Sequence, residues 1–210
     1  MRLRKKPWVA EALQAYGDVV LDSGGIAPGQ WRSRCGGSEL HVEIGTGRGR
    51  FISGMAEQQP GTVFVGIEAA QDVLYDAARK VREQGLDNVR LLVFNALAIE
   101  TLFSPGEVDR LYLNFSDPWH KRRHAKRRLT HAVFLAKYRQ IIKPGGRICF
   151  KTDNEKLFEF SLNQFADFGL RLANISFDLH NSGFEGNIMT EYEAKFSERG
   201  NKIFRCEAVF

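Results

Sequence analysis

The chain has 210 residues, 43% of them hydrophobic, which suffices for one domain with a full core. No apolar stretch approaches a membrane span, the three cysteines (Cys35, Cys149, Cys206) form neither a metal-ligand spacing nor a disulfide framework, and the basic start MRLRKKPW has no apolar segment behind it. A membrane, secreted or zinc-scaffold reading is therefore excluded, the cytoplasm is the expected compartment, and the formal charge of +5 concentrates in residues 2–6 and 121–128, the pattern of a nucleic-acid footprint.

Residues 1–6 form a basic arm, and Pro7-Trp8 opens a short helical piece reaching Tyr16. Residues 17–37, rich in Gly and Ser around Pro28, Trp31, Arg32 and Arg34, read as an irregular segment laid over the main domain. The expected division is thus 1–37 for the arm and irregular segment and 38–210 for the domain. The apolar run 40–44 predicts a first strand, followed by a helix over 48–58 with Phe51, Ile52 and Met55 on one face. Strand 62–67 ends at Glu68. Helix 70–84 places Val73, Leu74, Ala77, Ala78 and Val81 on one stripe. Strand 89–94 ends at Asn95, and the run 108–115 reads as a buried fourth strand.

A helix is expected over 129–142, stopped by Lys143-Pro144-Gly145-Gly146. Strand 147–151 ends at Thr152-Asp153, and helix 154–168 closes at Gly169. Residues 170–179 and 202–210 alternate and predict a terminal antiparallel ribbon. This alternation gives an α/β fold: a doubly wound, Rossmann-like sheet, mostly parallel, with an antiparallel C-terminal ribbon. Ligands bind such sheets at the carboxyl ends of the strands. The strand ends here carry Glu43, Glu68, Asn95, Asp117 and Asp153.

The loop Glu43-Ile44-Gly45-Thr46-Gly47-Arg48-Gly49 joins a strand to a helix, and glycines there permit close approach to a ligand. Dinucleotide enzymes use a similar device. Two details favour S-adenosylmethionine. The spacing is G-x-G-x-G rather than G-x-G-x-x-G, and Glu43 would repel a pyrophosphate but attract a sulfonium or ammonium. Glu68 suits ribose hydroxyls, which NAD also offers. Asn95 suits an adenine edge, or simply ends a strand in a turn. Together these residues point to a class I methyltransferase.

Residues 114–129, NFSDPWHKRRHAKRRL, join a strand-end carboxylate, an aromatic and a dense cationic run. Pro118 fixes its own φ and biases Asp117 away from helix. A turn followed by a solvated helix start is the plain alternative. The run's abutting a fixed carboxylate points instead to a site acting on a polyanion.

These segments, VEIGTGRGRF, GIE at residues 66–68, LNFSDPWHKRRHAKRRL, FKTDN at 150–154 and GNIMTEYEAKF at 186–196, resemble the bacterial tRNA (guanine-N7-)-methyltransferase family across nearly the whole chain. Two positions depart from its commoner pattern: Ser116, where many members have Pro, and Asn95, where an acid is frequent. The resemblance implies methyl transfer from S-adenosylmethionine to a guanine of the tRNA variable loop. It implies cofactor contacts from Glu43, Gly45, Glu68, Asn95 and Asp117, with Asp117 also catalytic. It implies substrate contacts from Lys121, Asp153, Thr190, Glu191, Tyr192 and Glu193. RNA contacts are implied for Arg123, His124, Ala125, Lys126, Arg127 and Arg128. The expected partner is tRNA, with no membrane and no metal; a homodimer stays open.

The residue chemistry agrees. Guanine N7 carries an in-plane lone pair and no proton, so its methylation needs alignment and charge stabilisation rather than a general base. The corner is S-D-P-W, not the N-P-P-Y type of an amino-group methyltransferase. Thr190 and Glu193 also have the spacing of a capping box. Trp119 either stacks on a base or packs beneath the corner. His120, His124 and His131 read as polar surface. The alternatives are a methyltransferase of another RNA or DNA base, an RNA-binding protein with a vestigial pocket, and an NAD-dependent dehydrogenase.

Overall fold

Aliphatic runs alternate with amphipathic stretches along the chain, and the structure turns that alternation into strands and helices. The computed structural model describes residues 7–22 and 24–210, so the basic arm expected over residues 1–6 lies outside the described residues. The chain divides into two compact units, Met1–Ala96 and Leu97–Phe210.

The first unit runs α1 (Val9–Gln14), β1 (Val20–Leu21), α2 (Trp31–Cys35), β2 (Glu39–Ile44), α3 (Arg50–Gln58), β3 (Thr62–Glu68), α4 (Gln71–Glu83) and β4 (Val89–Val93). Its strands pair in parallel in the order β1-β4-β3-β2. β2 and β3 are buried along nearly their whole length, as parallel strands covered on both faces must be. The predicted stripe of α4 is buried at Leu74, Ala77, Ala78 and Val81, and that of α3 at Phe51, Ile52 and Met55. Gly49, φ 84°, lets α3 start against α4: a Cβ there would lie 2.8 Å from Ala77 Cβ.

The described residues of 17–37 carry more regular structure than expected. Val20 and Leu21 pair with Leu91 and Leu92, and Trp31 of α2 is almost fully buried. A two-residue strand is too short for alternation to reveal it, and the Gly-rich surroundings hide a helix of five residues.

The second unit comprises β5 (Val108–Asn114), α5 (Ala132–Ile141), β6 (Ile142–Thr152), α6 (Glu155–Asp167), β7 (Arg171–Ser176), α7 (Glu191–Ser197) and β8 (Phe204–Val209). The order is β5-β6-β8-β7, with β5 and β6 parallel and β8 antiparallel to both its neighbours. The predicted ribbon is therefore part of a larger sheet, because β8 pairs with β6 as well as β7. Phe150 of β6 packs against Phe158 and Phe165 of α6, and Phe158 stacks on Phe204 of β8 at 5.3 Å. Asn154 caps α6, its side chain accepting from Leu157 N at 2.8 Å.

Two boundaries differ from expectation. α5 begins at Ala132, three residues late, because His131 Nδ1 accepts from Val133 N at 3.2 Å and caps the helix there. Before it, Arg122–Arg127 forms a 3-10 turn. β6 begins at Ile142 rather than after Gly146, and its pairing with β5 shifts register between Val108 and Arg110 to absorb the irregular start.

Candidate active site

In the first unit the loop after β2 is held by the end of β3. Gly45 N and Thr46 N donate to the Ile67 carbonyl at 2.8 and 3.1 Å. Glu68, the last residue of β3, is half-buried; its Oε2 accepts from Gly47 N at 3.2 Å and its Oε1 from Ala70 N at 3.0 Å. Each carboxylate oxygen keeps a lone pair for a ligand. Glu43 is buried beneath the loop, where its Oε2 accepts from Thr46 Oγ1 at 2.7 Å. Gly45 has φ 82°, and a Cβ built on it meets nothing within 4 Å, so the loop faces open space that a ligand can enter. Asn95 follows β4, exposed, with Phe94 N bonded to the Glu68 carbonyl at 3.0 Å. A buried carboxylate, an open glycine turn and a strand-end carboxylate fit a cofactor with a cationic end and a ribose.

In the second unit the predicted corner is a strained one. Phe115 (φ 51°) and Trp119 (φ 42°) both sit in the left-handed region, flanking Ser116-Asp117-Pro118. Each such non-glycine residue costs roughly 1–3 kcal/mol and persists only when its surroundings enforce it. Phe115 N bonds to the Lys151 carbonyl at 2.9 Å. Arg128 donates from Nε to the Pro118 carbonyl at 3.0 Å and from Nη2 to the Trp119 carbonyl at 3.3 Å, while its guanidinium lies 4.3 Å from the Phe160 ring centroid. Arg127 covers the Trp119 ring at 4.9 Å, and His124 meets that ring edge-on at 5.7 Å. Trp119 is thus packed into the corner. Asp117, Trp119, Lys121 and His124 line an open concavity of about 410 Å³. Asp117 and Lys121 are exposed there.

Beside the corner, Asp153 directly follows β6, and its Oδ2 accepts from the Tyr192 hydroxyl at 3.1 Å. Tyr192 stacks on Phe196 at 4.1 Å and meets Phe115 at 5.2 Å, so the corner and the Thr190–Glu193 turn share an aromatic contact. Burial, then the neighbouring Asp153 carboxylate, pushes the Tyr192 phenol up to about 12. Thr190 caps α7, its Oγ1 accepting from Glu193 N at 2.9 Å.

Residues 38–206 match the family model described as "Putative methyltransferase". The chain is 49% identical over 208 residues to the tRNA (guanine-N(7)-)-methyltransferase of Bacillus subtilis (strain 168), covering 99% of this chain and 98% of that one. It is 50% identical over 210 residues to the same-named protein of Geobacillus kaustophilus (strain HTA426), covering 100% and 97%. The chain belongs to the tRNA (guanine-N(7)-)-methyltransferase family. Solved structures of more distant methyltransferases share its fold. A SAM-dependent methyltransferase from Aquifex aeolicus has a TM-score of 0.58 at 14% identity, covering 97% of this chain and 93% of that one. The 16S rRNA methyltransferase KamB scores 0.64 at 17% identity, covering 86% and 91%.

Against this family's pattern, two residues hold positions other than the ones implied. Glu193 is turned inward: it is fully buried, Lys151 Nζ donates to its Oε2 at 2.7 Å, and Asn187 Nδ2 donates to its Oε1 at 2.7 Å. Only half of the predicted capping box therefore forms. Arg128, within the run assigned to RNA, is half-buried and faces the corner carbonyls. Arg123, Lys126 and Arg127 remain exposed, while His124 and Ala125 are half-buried. Ser116, where many family members have Pro, has a buried Oγ without a hydrogen-bond partner. Lys151, His180 and Asn187 escaped the sequence reading. The available signal was Lys151, a lysine inside an apolar strand, which demands a buried partner. Among the described residues, no cluster of three His, Cys, Asp or Glu side chains could hold a metal, and no helix is long and apolar enough to cross a membrane.

Proposed function

We propose that this protein methylates N7 of a guanine in the variable loop of tRNA, in the cytoplasm, using S-adenosylmethionine. What carries the reading is identity near one half over the full length of proteins of that name. When bound, S-adenosylmethionine supplies an electrophilic methyl on a cationic sulfur. Glu43 offers its buried negative charge to the cofactor's cationic end, and Glu68 offers its remaining lone pairs to ribose hydroxyls. Gly45 gives the backbone close approach, and Asn95 would meet the adenine edge. Asp117 has two tasks: it lines the cofactor and accepts from the guanine N–H edge. Held by the strained corner, its carboxylate stabilises the positive charge that the ring gains as the N7–methyl bond forms and the sulfur–methyl bond breaks.

No proton moves at N7, so none of these residues needs to act as a base. Lys121, Asp153, Thr190, Glu191 and Tyr192 orient the nucleotide, and the exposed cations of residues 123–127 bind phosphates. Nucleoside mass spectrometry of unmodified transcribed tRNA, after incubation with protein and cofactor, tests this. The expected product is 7-methylguanosine in the variable loop. Methylation at another base, or cofactor binding with no methylation, would refute it.

A further inference from the structure

A charged cluster lies directly beneath the turn that carries Tyr192. Lys151, the penultimate residue of β6, is 6% exposed. Its ammonium donates to Glu193 Oε2 at 2.7 Å and to Asn187 Oδ1 and the Ile188 carbonyl, both at 3.0 Å. Three protons thus meet three acceptors. Glu193 Oε1 takes Asn187 Nδ2 and lies 3.1 Å from His180 Nε2. Burying two such ions costs several kcal/mol each, and a well-packed apolar pair is often as stable or more so. Stability alone does not account for this pair.

Its position does. Lys151 is the penultimate residue of β6, and Asp153 is the first residue after the strand. Their partners, Glu193 and Tyr192, are adjacent on the first turn of α7. A helix of seven residues does not hold itself together in water. The segment leading to it turns through left-handed glycines at Gly183 (φ 70°) and Gly186 (φ 81°). The Lys151–Glu193 pair therefore fixes both the height and the rotation of α7 on the strand end.

We propose that Lys151, assisted by His180 and Asn187, is a positioning residue for the substrate side of the site. It draws Glu193 inward, and this turns Thr190, Glu191 and Tyr192 toward the guanine-bearing strand. The role presupposes the tRNA-methylating activity proposed above.

Three variants of the full chain test it: Lys151→Met, the double variant Lys151→Met with Glu193→Gln, and His180→Ala. Calorimetry measures cofactor affinity, steady-state kinetics measure kcat and KM for tRNA, and hydrogen exchange by mass spectrometry follows the peptide over residues 187–197. Lys151→Met leaves a buried carboxylate unpaired. It should lower kcat/KM for tRNA by about tenfold or more, accelerate exchange in residues 187–197 by a similar factor, and leave cofactor affinity within about twofold. The double variant removes the orphaned charge while Gln keeps partners in Asn187 and His180, so it should recover most of the lost kcat/KM. His180→Ala changes a residue that is a third exposed, so it tests the same cluster if Lys151→Met fails to fold; it should accelerate exchange in the same peptide alone.

Wild-type kcat/KM and exchange in folded Lys151→Met or in His180→Ala would overturn the proposal. So would equal loss of cofactor and tRNA affinity, or a double variant no better than the single one. A wild type that binds cofactor but leaves tRNA unmethylated sinks the activity, and with it the substrate-facing half of this role; exchange then decides the docking of α7 by itself.

Discussion

Replacing Glu68 separates the latch seen in the structure from the ribose contact proposed for the same side chain. In the free protein its oxygens accept from Gly47 N at 3.2 Å and Ala70 N at 3.0 Å, latching the glycine loop to the start of α4. With cofactor bound, the same oxygens are proposed to accept ribose hydroxyls. Glu68→Ala removes both sets of bonds. The latch is half-exposed and rests on two backbone donors, so its loss should cost roughly 1–2 kcal/mol of stability. For a chain of this length, that lowers Tm by about 2–8 °C without cofactor. Ribose bonds to a charged acceptor contribute about 1.5–3 kcal/mol, so the cofactor Kd should rise roughly 10- to 150-fold. Glu68→Gln keeps one carbonyl oxygen, enough for one latch bond. It should recover part of the Tm but little of the affinity. Calorimetry with S-adenosylmethionine and thermal unfolding of the free protein read the two effects separately. A lowered Tm with unchanged Kd would show that Glu68 is only a latch and would remove it from the cofactor site.

Asp117→Asn keeps the shape of the corner and loses the charge, so single-turnover methyl transfer should slow by about 10²–10³ with tRNA affinity little changed. The wild-type rate should lack a tenfold rise per unit over about pH 6–9, since N7 has no proton to lose; such a rise, abolished in Asp117→Asn, would refute the mechanism. Arg127→Ala should reduce the slope of log tRNA affinity against log salt by roughly 0.7–0.9, whereas Arg128→Ala, which unties two corner carbonyls, should instead lower Tm and kcat; equal salt slopes for the two would contradict the division. The Tyr192 phenol is raised from its ordinary 10.0 to about 12, so the folded state holds that proton longer than the unfolded one. The stability involved is intact below pH 10 and is lost as pH rises to about 12. Denaturant titrations should show that loss, and Tyr192→Phe should reduce it.

The fold was legible where periodicity is long. β2, β3, β4 and α4 lie within two residues of their predicted positions because the strands are apolar runs bounded by polar or turn residues and α4 carries a long apolar stripe. The short pieces were not legible. β1 exists because Val20 and Leu21 find an open edge on β4, a fact about the sheet rather than about those two residues. The place of β8 between β6 and β7 was hidden for the same reason: alternation shows that a strand has two faces, not which neighbours it will take. At the candidate site, residue types at strand ends singled out Glu43, Glu68 and Asp117, and the structure places the first two at the glycine loop and the third in the corner after β5. Direction was not announced. Thr190, Tyr192 and Glu193 look alike as candidates in the sequence, yet burial turns Glu193 inward to Lys151 and leaves Tyr192 42% exposed.

The corner shows a local rule failing for a physical reason. Glycine is the residue that tolerates positive φ, yet Phe115 and Trp119 occupy those positions, although the chain uses glycine for such turns elsewhere. The side chains are needed: Phe115 touches Tyr192, and Trp119 supports Arg127. A glycine would relieve the strain and lose both contacts. The strain is held by Arg128, which reaches back ten residues to the Pro118 carbonyl. The basic run therefore has two physical parts: exposed cations available to phosphate, and one half-buried arginine that keeps the Asp117 carboxylate where the strand ends. Both parts lie on one short 3-10 turn and its boundary residue, with exposed Arg127 next to half-buried Arg128. If the exposed cations bind tRNA as proposed, the arginine that ties the corner is the immediate backbone neighbour of one that holds phosphate.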